Sequence, residues 1–379
     1  MRARALVPQL VLVAAVALAL WYLASNTAAN LEARRIASGF GFLWREAGFA
    51  IGEAPFLSYS AADSYARAIL VGLINTFRVA LVGIVLATAL GTLVGLARLS
   101  RNWLLARLAA GYVEVVRNVP LLVQLFFLYA LITENLPGPR AALEPLPGVF
   151  LSNRGIAFPL LAAHPVHAWL ALALLAGLAF AWGIGRWARA RQARTGQPFP
   201  ALTAGAAATL GLPLALFLAA GAPLALERPA LQGFNFAGGG ALSPEFAALL
   251  GGLTLYTAAF IAEIVRAGVL AVDRGQFEAA YSLGLPPRRT MRLVILPQAL
   301  RVIVPPLTSQ YLNLTKNSSL AVAIGYPDLV SIANTTMNQT GQAIEGIAII
   351  MAVYLTISLS ISALMNWYNR RIALRGARA

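Results

Sequence analysis

The sequence has no cysteine, one lysine and two histidines among its 379 residues. Without cysteine there is no disulfide framework, no thiol nucleophile and no Cys-ligated metal. His164 and His167 stand together, but no set of histidines and carboxylates fit for a metal accompanies them, and no nucleophile motif occurs. A membrane-embedded enzyme therefore has no support, and the chain is read as a non-enzyme with no cofactor of its own. A phosphate-binding loop needs G-x-x-x-x-G-K-[ST]. The only lysine, Lys316, follows "YLNLT", so the chain has no ATP site of that kind. Charge is scarce as well. Only 11 % of residues are charged, where a soluble chain has about a quarter.

Apolar sequence fills the space. The chain is 59 % hydrophobic with a mean hydropathy of +0.72. Several stretches reach about 20 apolar residues, the length that crosses a bilayer. Strands of an outer-membrane barrel would alternate over segments of about 10 residues, and no such segments occur. The chain reads as an all-α membrane protein with about eight transmembrane helices. The runs are Leu6–Leu23, Ile69–Ala97, Ala109–Ile132, Ala168–Ile184, Ala201–Leu224, Phe246–Ala271, Val304–Ile324 and Ile344–Tyr368. The first is longer than the apolar region of a signal peptide, about 7–15 residues, and is read as an uncleaved helix.

The net charge is +15, but its distribution argues against nucleic acid. Arginines cluster in short segments between apolar runs. With the N-terminus inside, 18 basic residues fall in cytoplasmic segments, 7 in outer segments and 4 (Arg78, Arg117, Arg266 and Lys316) within spans. The positive-inside rule favours this orientation, with both termini cytoplasmic. The outer segment 25–65 contains "SGFGFLWREAGFAIG", for which an amphipathic surface helix is expected. "GFNFAGGGALSP" reads as a glycine-rich turn region before a span.

The cytoplasmic loop 272–303 is long and patterned. "GQFEAAYSLGL" holds helix formers ended by Gly284, a C-cap candidate. Pro286 and Pro287 suit the start of a second short helix, with Leu293, Val294 and Leu296 on its apolar face. Pro297 then redirects the chain toward the next span. On residues alone, this helix–turn–helix either presents its apolar face to a partner or rests in the lipid headgroups.

Glu278-Ala279-Ala280, three residues, Gly284, nine residues and Val294-Ile295-Leu296-Pro297 resemble the EAA motif of permease subunits of bacterial ABC importers. Val294 stands where that motif usually has isoleucine. "GYVEVVRNVPLLVQLFFLYA" (Gly111–Ala130), "LYTAAFIAEIVRAGV" (Leu255–Val269) and "LTKNSSLAVAIGYPDL" (Leu314–Leu329) are similar to the amino-acid-permease branch, that of polar and general L-amino-acid permeases.

The resemblance implies a type I importer permease core of five helices plus three additional ones. The corresponding division is an N-terminal helix (1–24), a periplasmic segment (25–65), a first core part (66–135), periplasmic segments with an inserted helix pair (136–240), a second core part (241–370) and a cytoplasmic tail (371–379). It implies a bacterial inner-membrane permease that takes L-amino acids from a periplasmic binding protein. Two ABC ATPase subunits would bind ATP and Mg and dock on Glu278, Ala279, Ala280, Gly284, Val294, Leu296 and Pro297. A second, smaller permease subunit would complete a heterodimer, and membrane lipid would surround it. The alternative is a stand-alone secondary transporter driven by an ion gradient. That class favours an internal inverted repeat, and only a short echo, "EVVR" and "EIVR", is found.

Charges inside spans are functional candidates by default. Glu114 with Arg117, and Glu263 with Arg266, are i,i+3 pairs that can meet on one helix face. They read as ion pairs that fix packing, with Glu263 alternatively on the substrate path. Lys316 lies about ten residues beyond Pro305-Pro306, roughly 15 Å along a helix at 1.5 Å per residue, near mid-membrane. With Asn313, Asn317 and Ser318 it makes a polar stretch that suits a substrate carboxylate. The other reading pairs Lys316 with a carboxylate on a neighbouring helix.

Overall fold

The computed structural model describes residues 2–33, 38–162 and 164–372. The chain forms two compact units, Met1–Ile132 with Ser243–Ala379, and Thr133–Leu242. Among the described residues, seven helices are long and apolar enough to cross a membrane, or eight if a bent pair counts as one span. The expected tail at 371–379 lies outside the described residues apart from the end of the last helix.

The first unit holds α1 (Arg2–Ala33), α2 (Tyr65–Ala97), α3 (Trp103–Asn118), most of α4 (Leu121–Asn135), α7 (Pro244–Leu270), α8 (Arg274–Ser282), α9 (Pro287–Thr290), α10 (Leu296–Asn317), α11 (Leu329–Thr340) and α12 (Ala343–Ile372). Its centre is the contact between α2 and α7. In lipid, helices gain little from apolar burial and associate through close backbone approach at small residues. A Cβ at Gly91 would lie 2.6 Å from Ile261 Cβ, and one at Gly95 would lie 2.7 Å from the Ala262 carbonyl. The α7 helix is capped by Ser243, whose hydroxyl accepts from Phe246 N at 3.1 Å, and Pro244 sits in its first turn, where the missing N–H costs nothing.

Two expected spans take different forms. The third is broken into α3 and α4, bent by 106° at Val119-Pro120. Proline disfavours the helical conformation of the residue before it, and Val119 is extended. The seventh starts earlier than Pro305-Pro306, because α10 runs through both prolines from Leu296. Pro297 does not redirect the chain. It lies in the first turn of α10, where proline is tolerated. After a 3-10 stretch, Ser318–Ile324, and a left-handed turn at Gly325, the twelve-residue α11 follows. It is too short to span, and it was not foreseen.

No amphipathic helix occurs among the described residues of 38–64. That segment has one 3-10 turn, Phe40–Trp44, and is otherwise irregular. It is fixed by polar contacts. Gly39 N donates to Glu345 Oε1 at 2.5 Å, Ala47 N to the Asp63 carbonyl at 2.8 Å, and Asn75 Nδ2 to the Glu53 carbonyl at 2.8 Å. Phe42 is buried against Tyr65.

The second unit contains the rest of α4, eight short strands and the pair α5 (Val166–Thr195) and α6 (Ala201–Ala219). Strands β1 (Leu143–Leu146), β2 (Val149–Ser152), β3 (Gly155–Phe158) and β8 (Gly240–Leu242) form an antiparallel sheet in that order. Strand β4 (Leu160–Leu161) pairs with β5 (Leu226–Glu227), and β6 (Ala230–Gln232) with β7 (Asn235–Ala237). The region expected as glycine-rich turns, 233–244, therefore holds β7, β8 and their connections, short strands within a mostly helical chain. Strands of two to four residues are too short to show the alternation that reveals a strand in sequence.

Candidate functional site

Three sets of residues are candidates for function, all in the first unit. The first is the loop between α7 and α10. The α8 helix is capped by Asp273, whose carboxylate accepts from Gly275 N at 2.6 Å. It ends in a left-handed Gly284, φ +72°. Leu285 N donates to the Ala280 carbonyl at 3.1 Å and Gly284 N to the Tyr281 carbonyl at 2.9 Å, the paired bonds of a Schellman end. A Cβ at Gly284 would meet nothing within 4 Å, so the glycine is needed for its backbone conformation alone. Pro286 and Pro287 open α9, which passes through a π-helical stretch, Met291–Ile295, into α10. Ala280, Thr290 and Ile295 are buried beneath the turn. Glu278, Ala279 and Pro297 are exposed and Val294 is half-buried. Tyr281, Leu283, Leu293 and Leu296 are exposed, Leu283 to 81 %. The loop thus shows an uncovered apolar surface.

The second set surrounds a cavity of about 460 Å³ between the end of α2, α3 and α7. Glu263 is held from two sides: Arg98 pairs with Oε2, and Arg266 Nη2 donates to Oε1 at 2.6 Å. Glu114 and Arg117 form no ion pair, contrary to expectation. Arg117 stacks over the Phe260 ring at 4.9 Å, and Glu114 is exposed. Both line the cavity with Arg98, Asn118 and Glu263. Sequence reasoning missed Arg98, counted with the cytoplasmic segment because it directly follows the apolar run that ends at Ala97, and Phe260, one aromatic among many.

The third set lies on α10. Leu314 packs on Gly83, near the middle of α2, which puts Lys316 close to mid-depth. Lys316 and Asn313 are exposed and Asn317 is half-buried. Among the described residues no carboxylate pairs with Lys316. Ser318 is buried, and its hydroxyl donates to the Thr315 carbonyl at 2.7 Å.

A further polar group was not foreseen. Glu53 pairs with Arg78 and accepts from Ser243 Oγ at 2.5 Å, while Arg78 lies over the Phe246 ring at 3.8 Å. Asp328 caps α11, accepting from Ser331 N at 2.8 Å. It is 1 % exposed, and burial pushes its carboxyl up to about 7. Arg78 was visible as a charge in a span; its partner is distant in sequence and carried no signal. No group of three or more metal-ligating side chains occurs among the described residues.

The profile of the binding-protein-dependent transport system inner membrane component family matches residues 213–374. The chain is 49 % identical over 354 residues to the general L-amino acid transport system permease protein AapQ of Rhizobium johnstonii, covering 93 % of this chain and 88 % of that one. It is 52 % identical over 372 residues to the putative amino-acid ABC transporter permease protein YhdX of Escherichia coli, covering 98 % and 94 %. It is 44 % identical over 411 residues to the glutamate/glutamine/aspartate/asparagine transport system permease protein BztB of Rhodobacter capsulatus, covering 99 % and 95 %. With identity of this level along nearly the whole chain, the protein belongs to the family of amino-acid ABC transporter permeases.

Proposed function

We propose that this chain is the larger permease subunit of an inner-membrane importer that moves L-amino acids, delivered by a periplasmic binding protein, into the cytoplasm. Two ATPase subunits bind ATP and Mg and supply the energy, a smaller permease subunit completes a heterodimer, and both termini are cytoplasmic. The observation that carries the reading is the α8–Gly284–α9 turn, which leaves Tyr281, Leu283 and Leu293 uncovered. In water such a patch calls for a partner, and a rigid knob held by a capped helix end suits transmission of motion.

The mixed-charge cavity supports a zwitterionic cargo. Glu263 is already neutralised by Arg98 and Arg266, which leaves Glu114 for an ammonium group and Arg117 for a carboxylate. Lys316 and Asn313, exposed at mid-depth, continue the path.

Co-purification with the ATPase subunit tests the reading. The wild-type chain retains the ATPase. Leu283→Asp puts a charge on the knob and releases it. Gly284→Val forces a β-branched residue into the left-handed region, a strain of about 1–3 kcal/mol, and uncouples ATP hydrolysis from uptake while the chain still inserts. Retention of the ATPase by Leu283→Asp would remove the docking role.

A further inference from the structure

The inserted pair α5–α6 has no role in the reading above, yet it carries a built groove. The two helices touch closely in their middle. A Cβ at Gly177 would lie 2.6 Å from Thr209 Cα, and one at Gly205 would lie 2.9 Å from Ala181 Cβ. Alongside this contact, and on to the loop that connects them, lies an open groove of about 740 Å³. Gly185, Ala188, Ala201, Leu202 and Ala206 give it apolar walls, and Arg189 and Gln192 stand at its mouth.

Its length matches one leaflet. On α6 the lining runs from Pro200 to Leu210, about 15 Å at 1.5 Å per residue, half of a hydrocarbon core of about 30 Å. The interface level is marked on the same helices. Trp182 and Trp187 are exposed, and Trp187 packs edge-on against Phe199 at 5.1 Å. Exposed tryptophans sit at headgroup level, which puts the Arg189 guanidinium there too.

The charge is one-sided. Arg186, Arg189, Arg191 and Arg194 lie in the last three turns of α5, and no Asp or Glu occurs between Glu144 and Glu227. Arg186 rests on Trp182 and Arg191 on Trp187, with Arg191 also donating to Gln197 Oε1 at 3.3 Å. Among the described residues none of the four makes an ion pair, and Arg189 is exposed. An apolar groove one leaflet deep, with an unneutralised arginine at its mouth, has two needs: a chain of methylenes and an anion.

We propose that this groove holds an anionic phospholipid of the cytoplasmic leaflet, its acyl chain between α5 and α6 and its phosphate on Arg189. Basic pockets between helices on the cytoplasmic side bind anionic headgroups in this manner. The leaflet assignment rests on the topology proposed above. The acyl chain lies along the groove, against the apolar side chains of both helices.

The test uses the full importer complex, stripped of lipid and titrated with phosphatidylglycerol or phosphatidylethanolamine under native mass spectrometry. The wild type binds phosphatidylglycerol more tightly than phosphatidylethanolamine. Arg189→Gln weakens phosphatidylglycerol about fivefold, the equivalent of the roughly 1 kcal/mol that one arginine gains near an anionic surface, and leaves phosphatidylethanolamine unchanged. Ala206→Phe fills the groove without touching charge and weakens both lipids. Equal binding of the two lipids by the wild type, or no change in Arg189→Gln, overturns the proposal. So does a complex that takes up neither lipid and loses its second permease subunit in Ala206→Phe, which would make the groove a protein contact. The topology is read separately. The chain has no cysteine, so a single Gly196→Cys reports the side of the loop through an impermeant maleimide. Labelling from outside refutes the orientation while the lipid titration still reports on the groove.

Discussion

Helices α7 and α5 are near-equals in length, 27 and 30 residues, and both are apolar enough to span. Yet 61 % of the most apolar stretch of α7 is buried within the protein, against 6 % for α5 and 6 % for its partner α6. The difference lies in the polar residues. The α7 helix carries Thr254, Thr257, Glu263 and Arg266 within its span, and the first two are buried. The charged residues of α5 all sit at its loop end, where they reach water or headgroups. Apolarity says that a helix crosses; polarity inside the span says that protein, not lipid, covers it.

The comparison breaks most sharply at the α2–α7 contact. Gly91→Leu pushes a side chain into Ile261 and the Ala258 carbonyl, and backbone yields poorly. The expected cost is about 1–3 kcal/mol or more, with loss of folded chain in size-exclusion profiles. Gly111→Leu on α3, where a Cβ would meet nothing within 4 Å, leaves the yield unchanged. Equal profiles for the two variants would deny that α2–α7 contact is the core.

Next in size is the charge cluster on α7. Glu263→Gln leaves Arg98 and Arg266 facing each other without their carboxylate. Breaking a fully buried pair costs about 3–5 kcal/mol. The three side chains keep 18–32 % of their surface exposed, so roughly 1–2 kcal/mol is expected after screening. Thermal unfolding in detergent reads it, and Glu263→Asp should recover part of the loss.

Lys316 sharpens the contrast in the other direction. It has no carboxylate partner among the described residues, so Lys316→Met leaves the melting temperature of the subunit near the wild-type value while uptake falls. A destabilised but transport-competent variant would return the lysine to a structural role.

A further contrast concerns Asp328, outside the spans. Tyr326 beside it and Tyr354 of α12 are the titratable groups near enough to feel its charge. Burial raises its folded pKa to about 7, above the unfolded value of about 3.9. The folded state therefore holds a proton that the unfolded state releases. Stability falls as pH rises from about 4 to about 7 and levels off above. Asp328→Asn keeps an oxygen to cap α11 and removes that slope. An unchanged slope would show that the carboxyl is not buried in its neutral form.

Much of this was legible in the sequence. The apolar runs are long enough to rise above any local noise, Gly284 marks a turn because few other residues accept its left-handed angles, and Pro286 and Pro287 mark it because proline suits only the first turn of a helix. The partners were not legible. Glu263 pairs with Arg98 across 165 positions, and Arg78 with Glu53 across 25, so the i,i+3 rule found Arg266 and missed the rest. That rule also paired Glu114 with Arg117, where the Phe260 face holds the guanidinium instead. The prolines at 305 and 306 misplaced the start of α10, because neighbouring helices in a membrane protein sustain a helix that proline alone would break. Strands β1 to β8 escaped notice because none exceeds four residues.

Uptake by the reconstituted assembly tests the central claim most directly. Proteoliposomes containing this chain, the proposed smaller permease subunit and the ATPase, with the binding protein outside, should accumulate an L-amino acid only when ATP is enclosed. They should ignore an imposed proton or sodium gradient. Accumulation by this chain alone under such a gradient, without ATP or ATPase, would contradict the account.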